Sequence, residues 1–211
     1  MARRRLWQFG GFAAGGLLIL FGVATILMGA NGYRTVQKEL NRENISGSDD
    51  MNPSSIAQSA QMAGLDESVG LPTCDVAGKE IDSGGRARCF AQYMRVHALE
   101  ATGGLTYAEM GRYQSAEDPR SAAGTDDAAA AEKNSSGQPI SNDSRNIWIT
   151  FNALATALNV SYMAQQLSIF SIVVGIALLL TGIGLVILAF AVFGRERREE
   201  AEALAAVPAT D

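Results

Sequence analysis

The sequence predicts an all-α membrane protein, with two transmembrane helices in an antiparallel hairpin and a mostly helical, partly disordered extracytoplasmic loop domain. Residues 6–30 and 167–193 contain no charged side chain. As helices rising roughly 1.5 Å per residue, both runs are long enough to cross a hydrocarbon core about 30 Å thick. The third observation is that the intervening residues, 31–166, are polar, as expected of a domain in water.

The arginines next to the two apolar runs predict their orientation. The basic residues outside the loop are Arg3, Arg4, Arg5, Arg195, Arg197 and Arg198. Positive charge collects on the cytoplasmic side of membrane helices. We therefore expect residues 1–5 and 194–211 to be cytoplasmic and the loop to lie outside a multi-pass chain in the cell membrane.

Basic residues that follow the first run, Arg34, Lys38 and Arg42, oppose this orientation. The second run decides, because the nearest basic residue before it is the more distant Arg145. The first run could also be a secretory signal peptide, whose apolar region usually has about 7–15 residues. Residues 6–30 exceed that length, so we expect a retained anchor.

Both cysteines, Cys74 and Cys89, lie in the loop assigned to the outside. Two cysteines in an oxidising compartment most simply form one disulfide, which would contribute roughly 3 kcal/mol by closing a loop of this size. The alternative is a pair of unpaired buried thiols. A structural zinc site needs four ligands, and the chain has two Cys and one His. We therefore expect no metal and no cofactor.

Two helices of the loop domain are expected to pack against each other. The segment 86–101 has good helix formers and ends at Thr102-Gly103-Gly104. A second helix begins near residue 145 and leads into the second membrane run, with an apolar stripe through Ile147, Phe151, Leu154, Leu158 and Tyr162. The side chains expected in this packing are Phe90, Tyr93, Met94, His97, Trp148, Phe151, Leu154 and Leu158.

Shorter elements and one flexible segment complete the loop. We expect a short helix over Pro53 to Met62 and a helical turn from Thr106 to Met110, with Thr106 and Glu109 as a capping box. Residues 114–143 have almost no large apolar side chain to bury. They are therefore predicted to be flexible. Ser141, Asp143 or Ser144 is expected to cap the long helix that follows.

Small residues recur every seven positions in both membrane runs. They are Gly15, Gly22 and Gly29 in the first run, and Gly175, Gly182 and Ala189 in the second. Small residues at this period line one side of a helix and let two helix backbones approach closely. We expect these two sides to face each other. The alternative is that small residues are simply common in membrane helices.

The charged residues exclude several function classes. The net charge is −5, and the loop carries more acidic than basic residues, so nucleic acid is not an expected partner. The membrane runs contain no ionisable residue, whereas ion-coupled transporters and proton relays need them. His97 and Glu100 could form an acid–base pair, but no nucleophile with a supporting pattern accompanies them. We expect a structural role for His97 and no catalytic residue.

The string HALEATGGLTYAE at residues 97–109, with the first run, residues 36–45 and residues 152–184, resembles a group of small actinobacterial two-span membrane proteins of unknown function. The resemblance implies two spans and an extracytoplasmic loop. Some such proteins are labelled aromatic ring-opening dioxygenases. Non-haem iron in such enzymes is held by two His and a carboxylate, and this chain has one His, so the label does not fit.

Together these features predict a non-enzymatic accessory or scaffold subunit that acts through protein contacts in the cell envelope or a respiratory complex. The alternative is a homo-oligomeric two-span channel or sensor with a disulfide-bearing ectodomain. The expected partners are the lipid bilayer and either another membrane protein or further copies of the chain. Fold class alone does not decide between these functions.

Overall fold

The computed structural model describes the backbone of residues 2–205 and the side chains of residues 10–192 and 195, apart from that of residue 67. Over the described residues the chain is helical and has no strand, which confirms the predicted all-helical class. Its helices are α1 (Ala2–Glu43), α2 (Pro53–Met62), α3 (Gly84–Ala101) and α4 (Asp143–Ala205). Two single 3₁₀ turns cover Glu67–Val69 and Tyr107–Glu109.

Helices α1 and α4 are long and apolar enough to cross a membrane over Gly10–Glu43 and Asp143–Val192. The core helix of a soluble protein would bury its apolar side chains. Here many large apolar side chains of both segments are exposed, Leu20 and Phe190 among them. These helices are therefore compatible with a two-span membrane protein. The predicted cytoplasmic arginines of residues 3–5, 197 and 198 lie outside the described side chains.

The chain divides into two compact units. The first comprises the residues up to Arg34 together with those from Leu167 onward, and it contains both apolar helical runs. In this unit the rings of Phe12 and Phe190 meet edge to face, with centroids 4.9 Å apart. The second unit, Thr35–Gln166, contains α2, α3 and the first part of α4.

The core of the second unit forms around α3. Tyr93 and Val96 of this helix are fully buried, together with Ile56 from α2 and the loop residues Val76 and Ile81. Trp148, Phe151 and Leu158 of α4 belong to the same cluster. Residues of α3 and of the first part of α4 therefore share one core, as the predicted packing of these helices requires.

Local sequence explains where the shorter helices begin and end. Asn52 precedes α2, and its Oδ1 accepts a 2.9 Å hydrogen bond from the Ser55 N–H, while Pro53 suits the first helical position. Helix α3 ends at Ala101 and is followed by Gly103 and Gly104, whose φ angles of 61° and 83° favour glycine. The helix predicted over Pro53 to Met62 is confirmed.

The capping box predicted at Thr106 is also present. The Glu109 carboxylate accepts hydrogen bonds from the Thr106 N–H at 2.7 Å and from its hydroxyl at 2.6 Å. These two bonds hold the pKa of Glu109 below its usual value. The turn is a single 3₁₀ turn over Tyr107–Glu109.

Residues 111–142 fold back on themselves through short backbone bridges. Tyr113 pairs with both Thr125 and Ser141, and further bridges join Ser115 to Ala131 and Lys133 to Pro139. The predicted flexibility of residues 114–143 stays a prediction. What the sequence did not indicate is that backbone hydrogen bonds link the two ends of this segment.

Candidate functional site

The main candidate site is a cleft in the second unit between α3 and α4. It has a volume of about 510 Å³, within the range of small-molecule and side-chain pockets. Met94, Ala98, Phe151 and Leu154 give it an apolar surface. The remaining lining residues are His97, Asp143, Asn146, Ile147 and Thr150. A surface of this kind suits apolar side chains with a few polar groups at their edge.

His97 lies between two carboxylates beside the cleft. Its Nδ1 is 3.0 Å from Glu100 Oε2, and its Nε2 is 3.4 Å from Asp50 Oδ2. The His97 side chain is 26% exposed. Because the two carboxylates contact opposite nitrogens of the ring, they do not converge on one point. No cluster of three metal-ligating side chains occurs among the described residues.

Two polar residues of the cleft, Thr150 and His97, each contact a neighbour on their own helix. The one described hydroxyl side chain of the cleft is that of Thr150, and this hydroxyl donates to the Asn146 carbonyl oxygen at 2.9 Å. A nucleophilic hydroxyl would instead be expected to face a general base. His97 is held by its carboxylate neighbours, and Glu100 lies on the same helix three residues away. This arrangement orients the imidazole at the edge of an apolar surface.

Seven of the eight residues predicted to pack in the loop domain belong to one core or pack against it, and the exception is His97. Phe90, Tyr93, Trp148, Phe151 and Leu158 are buried. Met94 and Leu154 are partly buried against them and also line the cleft with His97. The rings of Trp148 and Phe151 meet edge to face, with centroids 5.3 Å apart.

Ile147, one residue of the predicted apolar stripe, is not part of the buried core. Ile147 is exposed and lines the cleft, while the buried line on α4 begins at Trp148 and continues through Phe151, Ala155 and Leu158. The spacing of three and four residues allowed either Ile147 or Trp148 as the first member. The large indole buries more apolar surface than the isoleucine side chain.

Cys74 and Cys89 are joined in a disulfide with Cα atoms 6.1 Å apart. The bond ties the loop before α3 to the first half of that helix. The Tyr93 hydroxyl, one turn further along α3, donates to the Cys74 carbonyl oxygen. Burial raises the pKa of Tyr93, and the negative charge of Asp75 raises it further. Loop and helix are thus held together at adjacent points.

Arginine–aromatic contacts were not apparent in the sequence. The Arg88 guanidinium lies 4.7 Å from the ring centroid of Tyr162, which links α3 to α4. The Arg145 guanidinium lies 4.0 Å from the ring centroid of Tyr107. Such contacts contribute about 0.5–1 kcal/mol at exposed sites. No regular spacing connects these residues, so only the folded chain brings them together.

In the first unit, the predicted glycines of α1 face α4. A Cβ atom added at Gly15 would lie 2.9 Å from the Gly182 carbonyl oxygen, and one at Gly22 would lie 2.8 Å from that of Gly175. The neighbour of Gly29 is Ser168, whose carbonyl oxygen would be 2.7 Å away. Residue numbers therefore rise along α1 as they fall along α4.

The sixth predicted small residue, Ala189, is buried and faces Gly11. A Cβ atom added at Gly11 would contact that of Ala189 at 3.5 Å. Gly32 and Ser168, which were not in the predicted set, extend the close approach of α1 and α4 beyond Gly29. A Cβ atom added at Gly32 would lie 2.6 Å from the Ser168 hydroxyl oxygen. The seven-residue period also predicts Ser168 as a contact residue, because serine is small and Ser168 lies seven residues before Gly175.

Comparison of the chain with protein-family models, with curated proteins and with solved structures found no match.

Proposed function

We propose that this chain is a non-enzymatic accessory or scaffold subunit of a larger assembly in the cell membrane, such as a cell-envelope or respiratory complex. In this proposal α1 and α4 form an antiparallel transmembrane hairpin, both termini are cytoplasmic, and residues 31–166 form an extracytoplasmic domain. Membership of the actinobacterial two-span group is part of the same proposal. The function itself is binding to another membrane protein.

The observation that carries the proposal is the exposed cleft between α3 and α4. Its apolar residues, among them Met94 and Leu154, are close to a polar edge formed by His97 and Asn146. Protein interfaces typically combine an apolar centre with a polar rim. A helix or loop of a partner protein could insert one or two large apolar side chains into a cleft of this volume.

The proposal is tested by filling the cleft. Thr150 is exposed and lines it, so a Thr150→Trp variant should block entry of a partner side chain. After purification from membranes in mild detergent, we expect the wild-type chain to bring down a partner at constant stoichiometry. The Thr150→Trp variant should lose at least about 90% of that partner, which corresponds to roughly 1.4 kcal/mol of binding free energy.

Gln58→Trp is the matched control, because Gln58 is exposed on α2 and does not line the cleft. This variant should retain the partner. Equal retention by both tryptophan variants would reject the cleft as the binding surface. Purification of the wild-type chain with no other protein would reject the accessory role itself.

A further inference from the structure

The first part of α4 has a second face, turned away from the core, that carries no charge. Four apolar residues and one threonine define this neutral face: Ile149, Ala153, Thr156, Val160 and Met163. All five are exposed, with Ile149, Val160 and Met163 at 50%, 57% and 69%. A helix face directed to water in a globular unit normally carries charged or polar residues. The neutral face therefore requires an explanation.

The bilayer alone does not provide one. The sequence from Asn146 to Gly194 has no charged residue and is more than twice as long as the roughly 20 residues that a transmembrane helix needs. The apolar run at 167–193 already supplies a full span. The earlier part also contains Asn152 and Asn159, which are costly in hydrocarbon. A large part of the neutral face is thus left for a protein partner.

We infer that the neutral face pairs with the same face of a second copy of this chain, as a parallel two-helix coiled coil between two α4 helices. The inference rests on the two-span topology proposed above, because copies inserted in the same orientation have parallel α4 helices. A two-fold axis between them would then place each residue of the neutral face beside its own counterpart.

The spacing of the neutral face fits this partner. Its residues follow one another at intervals of four, three, four and three, which is the average period of 3.5 residues that coiled coils require. Ala153 and Thr156 are small and allow the helices to approach closely. Around the helix axis, the neutral face lies opposite the buried line through Trp148, Phe151 and Leu158. Pairing would therefore leave the core undisturbed.

Thr156 is the one polar residue of the neutral face, and it is compatible with burial between two helices. A threonine hydroxyl within a helix can donate to the backbone carbonyl oxygen four residues earlier. For Thr156 that residue is Asn152 of the same helix. In the pair, this bond would satisfy the hydroxyl without water, and the methyl group adds apolar surface to the face.

Charge also favours a second copy. In a symmetric pair, a charged residue beside the axis would meet the same charge on its counterpart. The positions that flank the neutral face are Thr150 and Ala157 on one side and Asn152 and Asn159 on the other, and all are neutral. A partner with a charged surface would bury that charge without a counter-charge on α4, which is costly.

The length of the neutral face sets the expected strength of the pair. From Ile149 to Met163 the helix extends about 21 Å at 1.5 Å per residue. We expect an interface this short to bury less than the area of about 1,200 Å² typical of stable complexes in water. Confinement of both copies to one bilayer raises their effective concentration. The pair is therefore expected to form in membranes and to weaken on dilution in detergent.

Single cysteine variants test the inference directly. The two native cysteines are joined to each other, so one introduced cysteine is the only free thiol in the chain. Thr156 lies on the neutral face, and Ala157 is the next residue, also small and exposed but beside the face. Disulfide formation needs Cβ atoms about 3.5–4.5 Å apart, so Thr156→Cys should cross-link and Ala157→Cys should not.

The variants are expressed as two differently tagged forms in one cell, and membranes are treated with a mild oxidant. We expect a non-reducing gel to show a product of twice the chain mass that carries both tags, roughly tenfold more abundant for Thr156→Cys than for Ala157→Cys. Val160→Cys should behave like Thr156→Cys. The wild-type chain should remain monomeric on the same gel.

Equal cross-linking of the Thr156→Cys and Ala157→Cys variants, or none of Thr156→Cys and Val160→Cys, would overturn the inference. A cross-linked product of another mass that carries one tag would also overturn it and would leave the accessory role in place. Conversely, a doubly tagged dimer purified without any other protein would reject the accessory role and support the pairing of two copies.

Discussion

Asn142 is a single side chain on which several parts of the second unit depend. It is buried, and its Nδ2 donates to the carbonyl oxygens of Gly111 and Ala122 at 3.0 and 2.9 Å. Its Oδ1 accepts a hydrogen bond from the Ser144 N–H at 3.0 Å, which caps the start of α4. One amide therefore joins both ends of the 111–142 segment to the helix.

The close approach of Gly124 follows from the same arrangement. A Cβ atom added at Gly124 would lie 2.5 Å from Asn142 Nδ2, and its φ of 60° also favours glycine. The sequence offered Ser141, Asp143 or Ser144 as the cap, and this prediction was wrong. All three are good capping residues, and the burial that selects Asn142 depends on a chain reversal that has no local signal.

We predict that Asn142→Ala destabilises the second unit. Loss of an N-cap costs about 0.5–2 kcal/mol. The variant also removes the donor to the buried Gly111 and the half-buried Ala122 carbonyl oxygens, and an unsatisfied buried acceptor costs about 1–3 kcal/mol. Thermal unfolding in detergent, followed by tryptophan fluorescence, should show a lower midpoint. Asn152→Ala is the control, because Asn152 is exposed on the same helix. Equal midpoints for the two variants would contradict the role assigned to Asn142.

At the scale of elements, the sequence was most informative where a helix has its own start and stop signals. Pro53 and Met62 were predicted as the ends of α2 and are its ends. Helix α3 was predicted from Arg86 but begins at Gly84. A glycine pair argues against a helix start. Here Gly84 is required, because a Cβ atom would lie 2.8 Å from Tyr162 Cα on α4.

The close contact of α1 and α4 gives the second prediction. A side chain at Gly22 would collide with the Gly175 carbonyl oxygen and the Leu179 N–H, each 2.8 Å from an added Cβ atom. We therefore expect Gly22→Leu to separate the two helices at a cost of about 1–3 kcal/mol or more. The change is measured as a lower unfolding midpoint in detergent.

Gly16 provides the control for this test. It belongs to the same helix, and no atom outside that helix lies within 4 Å of a Cβ atom added there. Gly16→Leu should therefore keep the wild-type midpoint or raise it slightly through its better helix propensity. If Gly16→Leu and Gly22→Leu lowered the midpoint equally, the glycines would matter for a reason other than close helix contact.

For the whole molecule, composition predicted the helical class and the two apolar helices. A long uncharged apolar run that spans a membrane must satisfy its own backbone hydrogen bonds, and a helix does this within one segment. The candidate cleft could not be predicted in the same way. It depends on the angular position of Thr150 and Leu154 relative to Met94 on another helix, and residue spacing along one helix does not fix the packing angle between two.

The topology proposed for the whole chain gives the last prediction. Ser136 is exposed in the loop, and Ala206 is near the end of the sequence. Because the native cysteines are paired with each other, a single cysteine at either position reports its own location. In intact cells, we expect a membrane-impermeant maleimide to label Ser136→Cys and to label Ala206→Cys only after the membrane is broken.

This expectation follows from the arginines at both outer ends of the apolar runs, since positive charge on the cytoplasmic side opposes translocation of those ends. The reverse labelling pattern would place the loop in the cytoplasm and would favour the influence of Arg34, Lys38 and Arg42. An N-terminal tag on the same variants distinguishes the remaining possibility. If residues 6–30 acted as a cleaved signal peptide, the mature chain would lose the tag while Ser136→Cys stayed accessible.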